Sequence, residues 1–147
     1  MKDKVIYKEL SYKIVGILFE VFNELGYGYH EKYYERAIGK GLTNERIKYK
    51  TQVPCKITFK GEKIGSYFLD FLIDDKIVLE LKIGKPYSKK NYDQVKAYLH
   101  ATNKQLAVLA TFTPKGVIFL RLLNINNRFE KTEAELNLIK VRKLINL

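Results

Sequence analysis

Residues 66–82 read SYFLDFLIDDKIVLELK, and the pattern of this stretch decides the fold. Two runs rich in β-branched and aromatic residues, 66–73 and 76–83, flank Asp74-Asp75. That is the composition of two strands joined by a tight antiparallel turn. Side chains alternate along a strand, so Asp70 is expected to share a face with Phe68 and Leu72, and Glu80 and Lys82 with Val78. The hairpin then brings Asp70 near Glu80, with Lys82 just beyond. Isolated carboxylates are costly to bury, so a pair aimed out of apolar strands needs a counter-charge or a metal. The set suits phosphodiester hydrolysis, in which hard oxygen ligands hold Mg²⁺, or Mn²⁺ in its place, and a lysine orients the attacking water. A Glu-x-Lys triplet alone says little in so charged a chain. Asp70 ten residues upstream, across an apolar hairpin, makes it a candidate site.

Outward from this hairpin the periodicity changes. Upstream, residues 7–25 carry Leu10, Ile14, Ile17, Leu18, Val21 and Leu25 at helical spacing, with Gly26 placed to end the helix. A second short helix is expected over 30–40, closed by Gly41, and then strands over 47–53 and 55–59, separated by a turn at Pro54. Lys60-Gly61-Glu62 is a further turn signal. Downstream, 88–102 reads as a helix with Val95, Tyr98 and Leu99 on its buried side, and 106–112 and 117–123 read as strands. The order implies an α/β fold with a mixed sheet. After Asn124 the chain is expected to turn helical near Thr132, where Thr132 and Glu135 have capping-box spacing and Ala134, Leu138, Val141 and Ile145 line one face. That stripe either packs on the domain, the favoured reading, or joins a partner such as a second copy in a homodimer. The expected division is a domain over 1–124 and a C-terminal helical extension over 125–147.

Hydrophobic residues are 46% of the 147 and charged residues 29%, a globular balance sufficient for a real core. No apolar run approaches the ~20 residues that cross a bilayer. The opening MKDKVIYKEL lacks the apolar centre of a signal peptide, so a cytoplasmic protein without a membrane role is expected. Cys55 is the single cysteine, which excludes an internal disulfide and a cysteine-based zinc cluster. Twenty-seven Lys plus Arg against sixteen Asp plus Glu give a net charge of +11. A small domain this basic usually faces a polyanion. Lys85, Lys89 and Lys90 follow the strand with Glu80 and could hold a phosphate backbone. No recognition helix or zinc module points to sequence-specific reading.

The residues also resemble a known family. Asp70, nine residues, then Glu80-Leu81-Lys82 in a strand is similar to the active-site motif of PD-(D/E)XK nucleases. Upstream, Gly28-Tyr29-His30-Glu31-Lys32-Tyr33-Tyr34 resembles the motif that names the GxxExxY protein family. QVP at 52–54 and Gln94 followed by Tyr98-Leu99 and Ala101-Thr102 fall in the same order, so the resemblance covers about residues 7 to 123. It implies an αβββαβ core with helices flanking a mixed central sheet. Asp70 and Glu80 would be metal ligands, joined by the Leu81 carbonyl, with Lys82 as the catalytic lysine. Glu31 would be an outer ligand or water holder, and Gln94 would face the site from the following helix, whereas Tyr34 and Tyr98 are better read as packing residues. Two departures stand out: Leu69 replaces the proline, and Phe68 stands where a basic residue is often expected. The function implied is a Mg²⁺-dependent nuclease acting on DNA, less readily on RNA. The competing readings are a non-catalytic nucleic-acid-binding module with the same fold and an interaction subunit working through its C-terminal helix.

Overall fold

The computed structural model describes residues 6–85, 88–125 and 128–131. Helix α1, Lys8–Leu25, buries Ile14, Ile17, Leu18 and Val21, the apolar face read from the sequence. It ends at Gly26, whose φ of 68° suits glycine and whose N–H donates to the Phe22 carbonyl. Helix α2, Glu31–Asn44, buries Tyr34, Ile38 and Leu42, spaced one turn apart. It runs past Gly41, where the sequence suggests a stop. The reason is packing: a Cβ at Gly41 would lie 2.6 Å from Cγ2 of Ile17, so this glycine lets α2 press against α1.

The strands are β1, Tyr49–Phe59; β2, Glu62–Ile73; β3, Ile77–Ile83; β4, Leu106–Thr113; β5, Gly116–Ile125; and β6, Arg128–Lys131. They form one six-stranded sheet in chain order. Helix α3, Lys89–Thr102, is the crossover that makes β3 and β4 parallel, and every other pairing is antiparallel. The α/β order expected from the sequence is therefore present. Two turns carry the hairpins by positive φ, Lys60-Gly61 at 50° and 82° and Asp74-Asp75 at 51° and 54°. In the second, the Lys76 N–H donates to the Ile73 carbonyl at 2.9 Å, closing a turn whose twist matches that of the strands. Pro54 does not break the chain as expected. β1 is an edge strand, where a missing N–H is tolerated, and it runs through Pro54 opposite Phe68.

Helices α1 and α2 cover one face of the sheet over Phe71, Ile73, Ile77, Leu79, Leu81, Val108 and Phe112. Helix α3 covers the other over Leu72, Val78, Leu109 and Leu120. Pairing of β2 with β3 stops at Phe71 opposite Leu79. Just beyond, Leu69 lies in the α3 layer although Phe71 lies in the opposite one. Residues two apart in a regular strand share a face, so the strand rotates at Asp70. On the partner strand Gln52 takes a left-handed φ of 50°, between Thr51 paired with Phe71 and Val53 paired with Leu69. The expectation that Asp70 shares a face with both Phe68 and Leu72 is thereby corrected: Leu72 is buried under α3, and Phe68 is exposed.

Strand β6 falls within the stretch read as a C-terminal extension and pairs with β5. The helix expected around Thr132 to Ile145 lies outside the described residues. No helix among the described residues is long and apolar enough to cross a membrane.

The helical glycines Gly16 and Gly41 make opposite predictions. Alanine gains roughly 1 kcal/mol over glycine in a helix, while overpacking a core costs about 1–3 kcal/mol. Gly16 has open space around its would-be Cβ. Gly16→Ala should raise the urea midpoint, and Gly41→Ala should lower it, because the β-branched Ile17 cannot swing aside.

Candidate active site

Where β2 leaves β3, two backbone N–H groups lose the strand partners they would otherwise have. Side chains replace those partners. The Asp70 N–H donates to Glu80 Oε1 at 2.9 Å, and the Leu81 N–H donates to Asp70 Oδ2 at 2.8 Å. In an extended strand a residue's N–H and C=O point to the same side, so the Leu81 carbonyl faces this gap as well. Glu80 is only 3% exposed. Burial first, and the Asp70 charge second, push its carboxyl up to about 8, with Lys82 acting in the opposite direction.

Helix α2 brings further acids from one side. Glu31 is held above its usual range by burial and by Asp70, against a lowering pull from Lys82. Glu35, one turn on, is raised by burial and by Asp70, and it accepts from Gln52 Nε2 at 3.2 Å. The same Nε2 reaches Asp70 Oδ1 at 3.5 Å. The entry to α2 is locked by Tyr34, whose hydroxyl donates to the Gly26 carbonyl at 2.6 Å and whose ring stacks on Phe112 at 4.5 Å. On the α3 side, Tyr67 and Tyr98 stack at 4.3 Å. Burial pushes the Tyr67 hydroxyl up to about 12 and raises Tyr98 too, and the Glu80 charge contributes to both.

A family model of the PD-(D/E)XK nuclease superfamily matches residues 8–119. The chain belongs to that superfamily. The solved structure of SSO0001 has a similar fold, with a TM-score of 0.51 at 16% identity over 95% of this chain and 66% of that one, so the chain spans just under two thirds of its length. No curated protein matches the chain.

For a PD-(D/E)XK chain the site residues divide clearly. Asp70, Glu80, Lys82 and Glu31 are brought within electrostatic reach of one another, as the sequence suggests. Gln94 is exposed on α3, one turn before Tyr98, and neither carboxylate takes a hydrogen bond from it among the described residues. Lys85, Lys89 and Lys90 are exposed, and Lys89 pairs with Asp93 at 3.1 Å on its own helix. Tyr34 and Tyr98 are buried packing residues. The sequence reading misses Glu35, although its spacing of four from Glu31 puts both on one helix face. It also gives Gln52 no role, and no local pattern announces that residue's left-handed backbone.

Among the described residues no group of three or more His, Cys, Asp and Glu side chains forms a metal cage. The donors suit a different kind of ion. Mg²⁺ keeps several waters and is commonly held through only one or two carboxylates. Asp70, Glu80 and a carbonyl supply hard oxygens, and a cation would offset the mutual repulsion of the two carboxylates. These residues fit a divalent cation.

The metal-free protein should therefore lose stability as pH rises. Between about 4.5, where Glu80 titrates in the unfolded chain, and about 8, the folded chain holds a proton that the unfolded chain has lost. Raised Glu31 and Glu35 add to the same slope. With EDTA present, the melting temperature should fall across this window, and Glu80→Gln should flatten the fall. An equal fall in that variant would show that Glu80 does not carry the effect.

Proposed function

We propose that this chain is a metal-dependent nuclease cutting phosphodiester bonds, of DNA before RNA, at the fork between β2 and β3. The observation that carries the reading is the pairing of half-buried Asp70 with buried Glu80 beside Lys82, set where the strands part. Asp70, Glu80 and the Leu81 carbonyl would hold Mg²⁺ or Mn²⁺, which when bound polarises the phosphate and makes water a better nucleophile. Lys82 orients the attacking water and offsets charge growing on the phosphate oxygens. Glu31, raised by its neighbours, holds a proton or a water at the edge of the site, and Gln94 contacts the substrate from α3. Lys85, Lys89 and Lys90 supply phosphate contacts beside the site. Within the superfamily, the Gly28, Glu31 and Tyr34 pattern supports a place in the GxxExxY group. In that pattern Tyr34 fixes the start of α2 and so presents Glu31.

The competing reading is a non-catalytic nucleic-acid module. It draws on the fact that one oxygen of each carboxylate is already satisfied by a backbone N–H. Labelled linear, branched and single-stranded DNA and RNA, incubated with Mg²⁺, Mn²⁺ or EDTA, separate the two. Asp70→Asn and Glu80→Gln should abolish metal-dependent cleavage while leaving the circular dichroism spectrum intact. Lys82→Ala should lose at least ~100-fold in turnover, the scale of one stabilising donor, and still bind the ion. Intact substrates in every form, with no ion bound on titration, would overturn the nuclease reading.

A further inference from the structure

Beyond Cys55 and Tyr67 the β1–β2 hairpin leaves the body of the molecule as a two-stranded arm. β3 pairs with β2 only at Phe71, Leu72 and Ile73, and α3 covers the root of the arm through Tyr67, whose hydroxyl donates to the Ala97 carbonyl at 3.3 Å. Past that point every residue from 56 to 64 is exposed. The apolar ones among them are large: Phe59 is 62% exposed and Ile64 65%, and Phe68, on the uncovered face two residues from Asp70, is 54% exposed. A bare two-stranded hairpin is marginally stable, and a long apolar edge invites aggregation. Large apolar side chains thus stay exposed on both faces of the uncovered arm, Phe59 on the face of Cys55 and Phe68 on the other, and invite a partner.

The charges say what kind of surface it is. Lys56, Lys60 and Lys63 alternate with the apolar residues, opposed by Glu62 alone among residues 54–68. The Lys60 ammonium sits 5.5 Å from the centroid of the Phe59 ring. A second copy docking here would set these lysines against their own copies in a chain of net charge +11. A nucleic acid would meet them with phosphates and offer base faces to the rings. A two-stranded ribbon is also narrow enough to enter a major groove.

We infer that the β1–β2 arm is a nucleic-acid clamp, with Lys56, Lys60 and Lys63 on phosphates and Phe59, Ile64 and Phe68 against bases or sugars. This rests on the nucleic-acid part of the proposed function and extends it to the geometry of the substrate. From Asp70 to Lys63 the strand spans about 23 Å at ~3.3 Å per residue. That is roughly seven nucleotides of one strand at 3.4 Å each, so the arm engages only substrates that extend this far to one side of the cut.

Binding measured by fluorescence anisotropy in EDTA keeps the test independent of cleavage. The full chain and a Lys56→Ala, Lys60→Ala, Lys63→Ala variant are titrated with single strands and duplexes, some shorter than the reach of the arm and some much longer. On long substrates the variant should show a log affinity against log salt slope shallower by about 2 for single strands and nearly 3 for duplexes, which is roughly 100-fold to 500-fold weaker binding at 0.1 M salt. On short ones the difference should largely vanish. Phe68→Ala should weaken binding with the salt slope kept. A triple Lys→Arg variant, which retains charge and should match the unmodified slope, guards against a fold defect in the alanine variant. An unchanged slope in the alanine variant overturns the clamp, as does a loss of self-association in that variant without a change in slope, which would make the arm a protein interface. Salt-dependent binding through the arm, by a chain that cuts nothing, would uphold the clamp and reject the catalytic reading.

Discussion

Strand β2 has two neighbours to satisfy, and it cannot stay with both. Its last residues pair with β3 in the buried centre of the sheet, while the rest of the strand follows β1 out into the arm. At the parting, the Asp70 and Leu81 N–H groups face a gap, and buried backbone donors must find acceptors. The carboxylates of Glu80 and Asp70 are those acceptors. The same geometry that saves the sheet from unsatisfied donors thus gathers two acidic side chains in one crevice. The rotation of the strands there is taken up by Gln52, a non-glycine residue in the left-handed region. Such conformations persist only where surrounding contacts enforce them. Its amide bridging Asp70 and Glu35 is that contact.

The second device is the entry to α2. A sheet fork supplies two carboxylates, and a helix must bring the others to it. Glu31 occupies the first turn, where the helix dipole favours an acid, but burial first and the Asp70 charge second raise its carboxyl all the same. Tyr34 holds the helix to the link before it and to Phe112 in β4, and Gly41 lets the far end press on α1. The placement of Glu31 and Glu35 is therefore set by the packing of Tyr34 and Gly41.

This division explains what could be read from the sequence. The hairpin over 66–82, the helical stripes of α1 and α3 and the buried run of β4 are local patterns, and local patterns carry their own period. The Asp70–Glu80–Lys82 proximity followed from them because a tight turn fixes which residues meet. Misreadings occurred where tertiary contact overrides local preference. Pro54 looks like a turn until the strand is known to be an edge, and Gly41 looks like a helix stop until Ile17 is seen beneath it. The rotation at Asp70 reverses the alternation from which the face of Phe68 was read, and no pattern within the strand encodes it. Glu35 was within reach of helical spacing alone; Gln52 was not.

Charge gives the final step. The chain carries +11, yet Asp70, Glu80, Glu31 and Glu35 gather at the fork, where Lys82 acts on Glu31 and Glu80 and Arg36 acts on Glu35. A basic surface draws phosphates inward, and an acidic crevice at its centre would turn them away. If the crevice served only to cap two backbone N–H groups, neutral amides would do so without repulsion between neighbours and without the burial penalty that raises Glu80. On the proposed function a divalent cation would remove the contradiction, since it would offset these acids and present positive charge to a phosphate. On the proposed reading, the cost of gathering like charges at the fork and the electrostatic requirement for cutting a polyanion are the same quantity, met by one ion.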